Sequence, residues 1–292
     1  MKILHLDSGR EMRGGQWQVL RLHQTLVEAG HESFLLGREG APLLAMANKR
    51  GLPCQALRPL RLALLSRSFD IVHAHDSRSH TWGAVFARVP LVVARRVAFP
   101  VGDSLGSRWK YGRARRFLAV SHFVAERLIE AGVDFQRIDI VYDGVDVPAV
   151  PACGDDILAP FTLDPAKGMT LAKEAASLAG VPLVCSENLD RDLPHAQTLL
   201  YLTQSEGLGS GILLAMAHGV AVVASRIGGV PELIDDGVTG LLVQNEANAV
   251  AQAILRATPA MGHAAREAVL NRFTVNHMVL ATLDCYRKAL SE

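Results

Sequence analysis

Short apolar runs alternate with helical segments along most of the chain, and this alternation constrains the fold more than any other feature. The apolar runs expected to form buried strands include residues 2–7, 70–75, 91–94, 117–120, 181–185 and 220–224. Segments with helical periodicity follow them, for example residues 14–30 and 121–132. Strands separated by helices form mostly parallel sheets with right-handed crossovers, so the sequence predicts the α/β class.

Chain length and local composition predict two domains. A length of 292 residues fits two domains better than one. Residues 148–156 contain Pro148, Pro151 and Gly154, which is typical of a linker. We therefore predict a first domain over residues 1–147, a second over residues 157–274 and a separate C-terminal helix over residues 275–292.

Composition argues against several classes of protein. A formal net charge of +1 and 5% aromatic residues give no basis for nucleic acid as the main partner. Since no apolar run reaches the length of a membrane span, and Met1 leads directly into a strand, we expect a cytoplasmic protein. The four scattered cysteines fit a reducing compartment and form no zinc motif.

Parallel sheets bind ligands beyond the carboxyl ends of their strands, and polar side chains follow two of the predicted strands there. His73, His75 and Asp76 end one strand, and Arg95 with Arg96 ends the next. Arginine can bind a phosphate with two parallel hydrogen bonds, although a solvated strand end is the alternative. His73 and His75 have the spacing of metal ligands, but no cysteine or carboxylate cluster accompanies them, so we expect no metal.

Two glycine-rich segments connect a predicted strand to a helix. Gly14 and Gly15 open the first helix, whose N-terminal N–H groups suit an anion, unless they serve only a tight turn. Glu206 is followed by Gly207 and Gly209, where the backbone can approach a ligand closely before a helix begins near residue 212. A strand, a Gly-Gly turn and a closing hairpin-like segment up to residue 243 come next. The alternative is that this segment is one more ordinary strand and helix of a parallel sheet, in which the glycines serve only the turns.

The second glycine-rich segment resembles the donor-site signature of the family-4 retaining glycosyltransferases. The positions in register with that signature are Glu206, Gly207, Gly209, Ala215, Met216, Ala217, Gly219, Gly228, Gly229, Glu232, Gly237 and Gly240. Residues 14–32 and 119–146 are similar to two further patterns of the same family. The resemblance implies the GT-B fold, in which two Rossmann-like, doubly wound parallel-sheet domains face a cleft, with the second domain shortened here. It also implies that the last helix crosses back to the first domain.

The same resemblance implies a reaction and a set of site residues. The expected reaction is retaining transfer of a sugar, from a UDP- or GDP-linked donor, to an envelope glycan or lipid-linked acceptor such as lipopolysaccharide. The leaving phosphate would itself help to deprotonate the acceptor, so no metal is required. The donor would contact Gly14, Gly15, Lys167, Glu206, Gly207, Leu208, Gly209 and Ser210. The expected catalytic residues are Glu206, Arg96 and Asp7, and the acceptor-side residues are Glu11, His75 and Arg95.

The chain departs from the family pattern at two donor-contact positions. Leu214 stands where the family has a second glutamate that holds the ribose, and the family's arginine position falls near Thr162. Each missing hydrogen bond to a charged group costs roughly 1.5–3 kcal/mol. The alternatives to an active transferase are therefore a catalytically silent scaffold or regulator, and a GT-B nucleotide-sugar epimerase.

Basic residues cluster late in the first domain, at Arg108, Lys110, Arg113, Arg115 and Arg116. Each basic group close to an anionic membrane surface contributes about 1 kcal/mol of attraction. Such a run is more often a solvated protein face, and peripheral contact with the inner face of the membrane is the alternative.

Overall fold

The computed structural model describes residues 1–102 and 104–292, and it divides the chain into two compact units. The first unit comprises Met1–Gly144 together with Val275–Glu292, and the second comprises Val145–Thr274. Each unit is built around one parallel β-sheet with helices, which confirms the predicted α/β class. Among the helices of the described residues, none is long and apolar enough to cross a bilayer.

The first unit contains a seven-stranded sheet in the order β3-β2-β1-β4-β5-β6-β7. All its paired strands run parallel. The strands are β1 (Lys2–Asp7), β2 (Glu32–Gly37), β3 (Cys54–Ala56), β4 (Ile71–Ala74), β5 (Leu91–Arg95), β6 (Arg116–Ala119) and β7 (Ile138–Ile140). The helices are α1 (Gly14–Glu28), α2 (Pro42–Lys49), α3 (Pro59–Leu65), α4 (Ser77–Phe86), α5 (Leu105–Arg113), α6 (His122–Glu130) and the last helix of the chain, α12 (Val275–Ser291).

Helices α1 and α12 cover one face of this sheet. Leu22 and Leu26 of α1 belong to the same buried cluster as Met278, Leu283 and Tyr286 of α12. Because apolar residues recur every three or four positions, each helix has one apolar face. Burial of that face against the sheet stabilises the helix. The last helix is thus an integral part of the first unit.

Local chemistry explains where the helices of the first unit begin. Helix α4 starts at Ser77 because the Asp76 carboxylate accepts the N–H groups of Arg78 and Ser79 at 2.9 and 3.0 Å. Helix α5 has no counterpart among the predicted elements. It is capped by Ser104 and buries none of its side chains, so no apolar period marks it in the sequence.

One member of the predicted basic cluster is buried, so that part of the prediction is wrong. Arg116 is 6% exposed and donates to Asp139 of β7 at 2.7 Å. Lys288 of α12 donates to the same carboxylate at 2.9 Å, and Arg116 also contacts Glu292. Arg116 points inward because it lies in strand β6, and it anchors the C-terminal helix.

The second unit contains a five-stranded parallel sheet in the order β12-β11-β10-β8-β9. The strands are β8 (Asp156–Pro160), β9 (Val184–Ser186), β10 (Ala196–Tyr201), β11 (Ala221–Ser225) and β12 (Leu241–Val243). The helices are α7 (Met169–Ala179), α8 (Leu189–Asp192), α9 (Ser210–His218), α10 (Ala247–Arg256) and α11 (Pro259–Arg272). The expected hairpin-like segment is wrong, because β12 pairs parallel with β11 and residues 226–240 form the crossover between them.

Candidate functional site

Glu206 is the centre of a polar cluster in the second unit. It follows β10, at the carboxyl end of the sheet. Its Oε2 atom accepts hydrogen bonds from Lys167 Nζ and from the Tyr201 hydroxyl, both at 2.9 Å. Its Oε1 atom accepts the N–H of Gly207 at 3.2 Å. Because a carboxylate oxygen accepts more than one hydrogen bond, Oε1 keeps capacity for a ligand hydroxyl.

The backbone at Glu206 is fixed by a glycine that no other residue can replace. Gly228 has φ +56°, and a Cβ atom built there would lie 2.0 Å from the Glu206 carbonyl oxygen. The next residue, Gly229, donates its N–H to that oxygen at 3.2 Å. The Gly228-Gly229 turn therefore holds the loop that carries Glu206. This contact explains why the two glycines belong to the signature.

A cavity of about 230 Å³ lies within the second unit, lined by the two residues whose side chains hold Glu206. Its walls include Thr162, Lys167 and Tyr201. The two positions that the sequence singled out in this region, Thr162 and Lys167, thus lie at one site. Thr162 accepts the N–H of Asp164 at 3.1 Å through its hydroxyl, so it shapes the loop and places no positive charge in the cavity.

Tyr201 is a functional candidate that the sequence reading missed. Burial, followed by the neighbouring Glu206 charge, raises the pKa of its hydroxyl well above 10, so the group remains a hydrogen-bond donor. A Cβ atom at Gly211 of α9 would lie 2.9 Å from the Tyr201 ring, so only glycine leaves room for the ring. A tyrosine that directly follows Leu199 and Leu200 at the end of a strand was the available signal.

The remaining predicted donor residues lie around the start of α9. Gly209 is the residue before the helix and has φ +114°, and Ser210 is the first helical residue. Leu208 is 2% exposed, so its side chain belongs to the core and only its backbone can serve a ligand. Leu214 lies within α9 and is partly buried. Its side chain offers no hydrogen-bond partner where the family has a carboxylate.

Asp7 ends strand β1 in the first unit and is 1% exposed. Its carboxylate accepts the N–H of Gly9 at 2.8 Å and the side-chain amide of Gln16 at 3.1 Å. Burial, with a smaller contribution from Asp76, raises the pKa of Asp7 to about 6. Asp7 is therefore placed to exchange a proton near neutral pH, which suits a residue that orients a reacting hydroxyl.

Arg96 lies close to Asp7, just beyond strand β5. Its Nε donates to Asp143 at 2.9 Å, and Nη1 lies 3.4 Å from His75 Nδ1. A Cβ atom at Gly15 would lie 3.9 Å from the Arg96 side chain, so this arginine approaches the start of α1. Arg96, His75 and the first turn of α1 thus form one cluster. Asp143 was missed, although it lies shortly after strand β7, as Arg96 lies directly after β5.

The other predicted acceptor-side residues, Glu11 and Arg95, have separate partners. Glu11 pairs with Arg13 at 2.8 Å, and both side chains are largely exposed. Arg95 donates to the Tyr111 hydroxyl at 2.8 Å and also contacts the carbonyl of Phe99. Glu11 therefore remains accessible to solvent, whereas Arg95 is committed to the loop before α5 and to α5 itself.

Two family profiles match the chain. Glycosyltransferase Family 4 matches residues 12–148, and Glycosyl transferases group 1 matches residues 174–258. An alpha-maltose-1-phosphate synthase of Mycobacterium tuberculosis is 42% identical over 96 residues, which cover 28% of this chain and 25% of that protein. A D-inositol 3-phosphate glycosyltransferase of Mycolicibacterium smegmatis is 26% identical over 298 residues, covering 77% of this chain and 68% of that protein.

The fold likeness extends over the whole chain. The structure of Anabaena HepE in complex with UDP-glucose has a TM-score of 0.82 and 18% identity, and the match covers 99% of this chain and 100% of that one. By contrast, the matched segment spans only a quarter of the maltose-1-phosphate synthase. Taken together, the two profile matches, the two parallel sheets and the Glu206 segment show that the chain belongs to the family-4 glycosyltransferases and has the GT-B fold.

Proposed function

We propose that the protein transfers a sugar from a nucleotide-sugar donor to an envelope glycan or lipid-linked acceptor, with retention of configuration. One observation carries the proposal: Lys167 and Tyr201, which hold the Glu206 carboxylate, also line a cavity in the second unit. Catalysis of glycosyl transfer requires a grip on the diphosphate and on the sugar, which this cluster can supply with one cation and one carboxylate.

In the proposed reaction, Lys167 compensates the negative charge that develops on the leaving diphosphate. Oε1 of Glu206 accepts a sugar hydroxyl, while Tyr201 and Lys167 hold the other carboxylate oxygen in place. Asp7 and Arg96, in the first unit, orient the acceptor and bind phosphate oxygens, respectively. The leaving phosphate takes the acceptor proton, so the proposal needs neither a protein base nor a metal.

Thermal stabilisation by nucleotides tests the proposal. We expect one of UDP, GDP or ADP to raise the melting temperature, because a ligand at about 100 times its Kd stabilises the fold by about 2.7 kcal/mol. If none does so at millimolar concentration, the transferase is ruled out. Such a result would favour the silent scaffold, because Leu214 and Thr162 offer neither the ribose carboxylate nor the second cation.

We further propose that helix α5 contacts an anionic membrane surface where a lipid-linked acceptor would be found. Leu105 and Trp109 are 84% and 50% exposed, and Arg108 and Arg113 are exposed on the same helix. Apolar side chains that insert at the interface, together with basic side chains, are the features of interfacial helices.

Co-sedimentation with vesicles containing phosphatidylserine tests this contact. Replacing Arg108 and Arg113 with glutamine should lower the bound fraction roughly tenfold or more, since each contributes about 1 kcal/mol. The matched control replaces Lys173 and Arg256, two exposed basic residues of the second unit, and should bind as the wild type does. Equal binding of both double variants would contradict the contact.

A further inference from the structure

Three histidines are buried side by side in the first unit. His5 of β1 and His73 of β4 are direct partners in the parallel register, so their side chains lie on the same face of the sheet. His75 follows two residues after His73 and lies on that face too. The rings of His5 and His73 are fully buried, and His75 is 7% exposed. One ring nitrogen from each histidine lies within 4.8 Å of the others.

The polar atoms of these rings are poorly satisfied. His5 Nδ1 and His75 Nε2 are 2.9 Å apart, and His73 Nδ1 lies 2.6 Å from the Tyr286 hydroxyl. The Nε2 atoms of His5 and His73 are buried with no hydrogen-bond partner among the described residues. A buried polar group without a hydrogen-bond partner lowers the stability of the fold by about 1–3 kcal/mol. Two such nitrogens in one cluster therefore need an explanation.

The hydrogen-bond chain shows why the rings cannot satisfy one another. The Arg96 guanidinium is only a donor, so His75 Nδ1 accepts from it and carries its own proton on Nε2. That proton is donated to His5 Nδ1, which leaves the His5 proton on the orphaned Nε2. Burial lowers the pKa of all three histidines well below 6.5, so they are neutral, the form that binds a metal.

We propose that His5, His73 and His75 form a binding site for a divalent transition-metal ion such as Zn²⁺ or Co²⁺. Three imidazoles suit these ions, whereas Mg²⁺ and Ca²⁺ need oxygen ligands. Tyr286 can accept the other ring proton of His73, as outer partners of metal-bound histidines do.

This site has a structural role and takes no part in sugar transfer. It would link β1 to β4 in the centre of the sheet, under the strand ends that carry Asp7 and Arg96. The Arg96 cation close to His75 opposes a second positive charge and weakens the site. Replacing Arg96 with glutamine should therefore increase metal affinity, which a simple packing role of the histidines does not predict.

The test is a titration of tag-free, chelator-treated protein with Co²⁺, followed by its visible absorption. We expect one Co²⁺ per chain, displaced by Zn²⁺, and at least tenfold weaker binding in His73→Gln. The matched control is His80→Gln, which removes a buried histidine of α4 outside the cluster. Equal binding by His73→Gln and the wild type, or no binding by the wild type, would overturn the proposal.

A measurement on the unaltered protein protects the test against a variant that fails to fold. X-ray absorption at the zinc edge of the loaded wild type should show nitrogen neighbours with the scattering pattern of imidazole rings. A sulfur shell would instead place the ion at the cysteines and would also overturn the proposal.

Discussion

Replacing Arg116 with methionine should lower the free energy of unfolding by about 3–5 kcal/mol, because it leaves a buried carboxylate without its main partner. The side chains of Arg116 and Asp139 are 7% and 13% exposed, and they also pair with Glu292 and Lys288, respectively, of the C-terminal segment. Urea denaturation of the whole chain measures the change. The exposed pair of Arg58 and Glu39 supplies the control, since Glu39→Gln should leave the denaturation midpoint nearly unchanged.

The effect of Arg116→Met should depend on pH. Burial works to raise the pKa of Asp139, but hydrogen bonds from Arg116 and Lys288 outweigh it and lower this pKa below 3.8. A carboxyl with a lowered pKa in the folded state contributes full stability above its unfolded value, and this contribution is lost as the pH falls through the folded value. The difference between wild type and variant should therefore narrow below pH 3.8. A difference that grows on acidification would contradict this assignment.

Replacing Gly228 with alanine should destabilise the second unit by about 3 kcal/mol or more, since it combines a left-handed backbone with a severe overlap. The new Cβ atom would lie 2.0 Å from the Glu206 carbonyl oxygen, so the loop must move. We expect a lower denaturation midpoint together with weaker nucleotide binding, measured on the same samples.

Gly237 provides a control for the backbone alone. It also has a positive φ, +82°, but nothing lies within 4 Å of the position of its Cβ atom. Gly237→Ala should thus cost only the strain of the left-handed conformation, about 1–2 kcal/mol, and should leave nucleotide binding intact. If the two variants behave alike, the overlap with Glu206 is not what requires Gly228.

Local patterns in the sequence were sufficient to predict the α/β class. Strand and helix segments such as Lys2–Asp7 and α1 carry their periodicity in consecutive residues, so the parallel α/β class follows from them. The glycines around Glu206 likewise form a contiguous signature. Helix α5 could not be found in this way, because it buries no side chain and its large apolar side chains are exposed.

Contacts between distant segments could not be read from the sequence. The pairing of His5 with His73 depends on the register of β1 against β4, which no local pattern specifies. The same holds for Arg116, whose partners lie in β7 and directly after the last helix. The sequence therefore indicated which side chains could act, while the register of the sheets decides which of them meet.

The contribution of Glu206 to sugar binding tests the central claim most directly. Calorimetry would compare the affinity of the preferred nucleotide diphosphate with that of its sugar conjugate, in the wild type, Glu206→Ala and the exposed control Glu187→Ala. We expect the sugar to add about tenfold or more in affinity in the wild type and the control, since a hydrogen bond to a charged group contributes roughly 1.5–3 kcal/mol. That gain should vanish in Glu206→Ala. An undiminished gain in Glu206→Ala, or none in the wild type, would contradict a role for this carboxylate in holding the donor sugar.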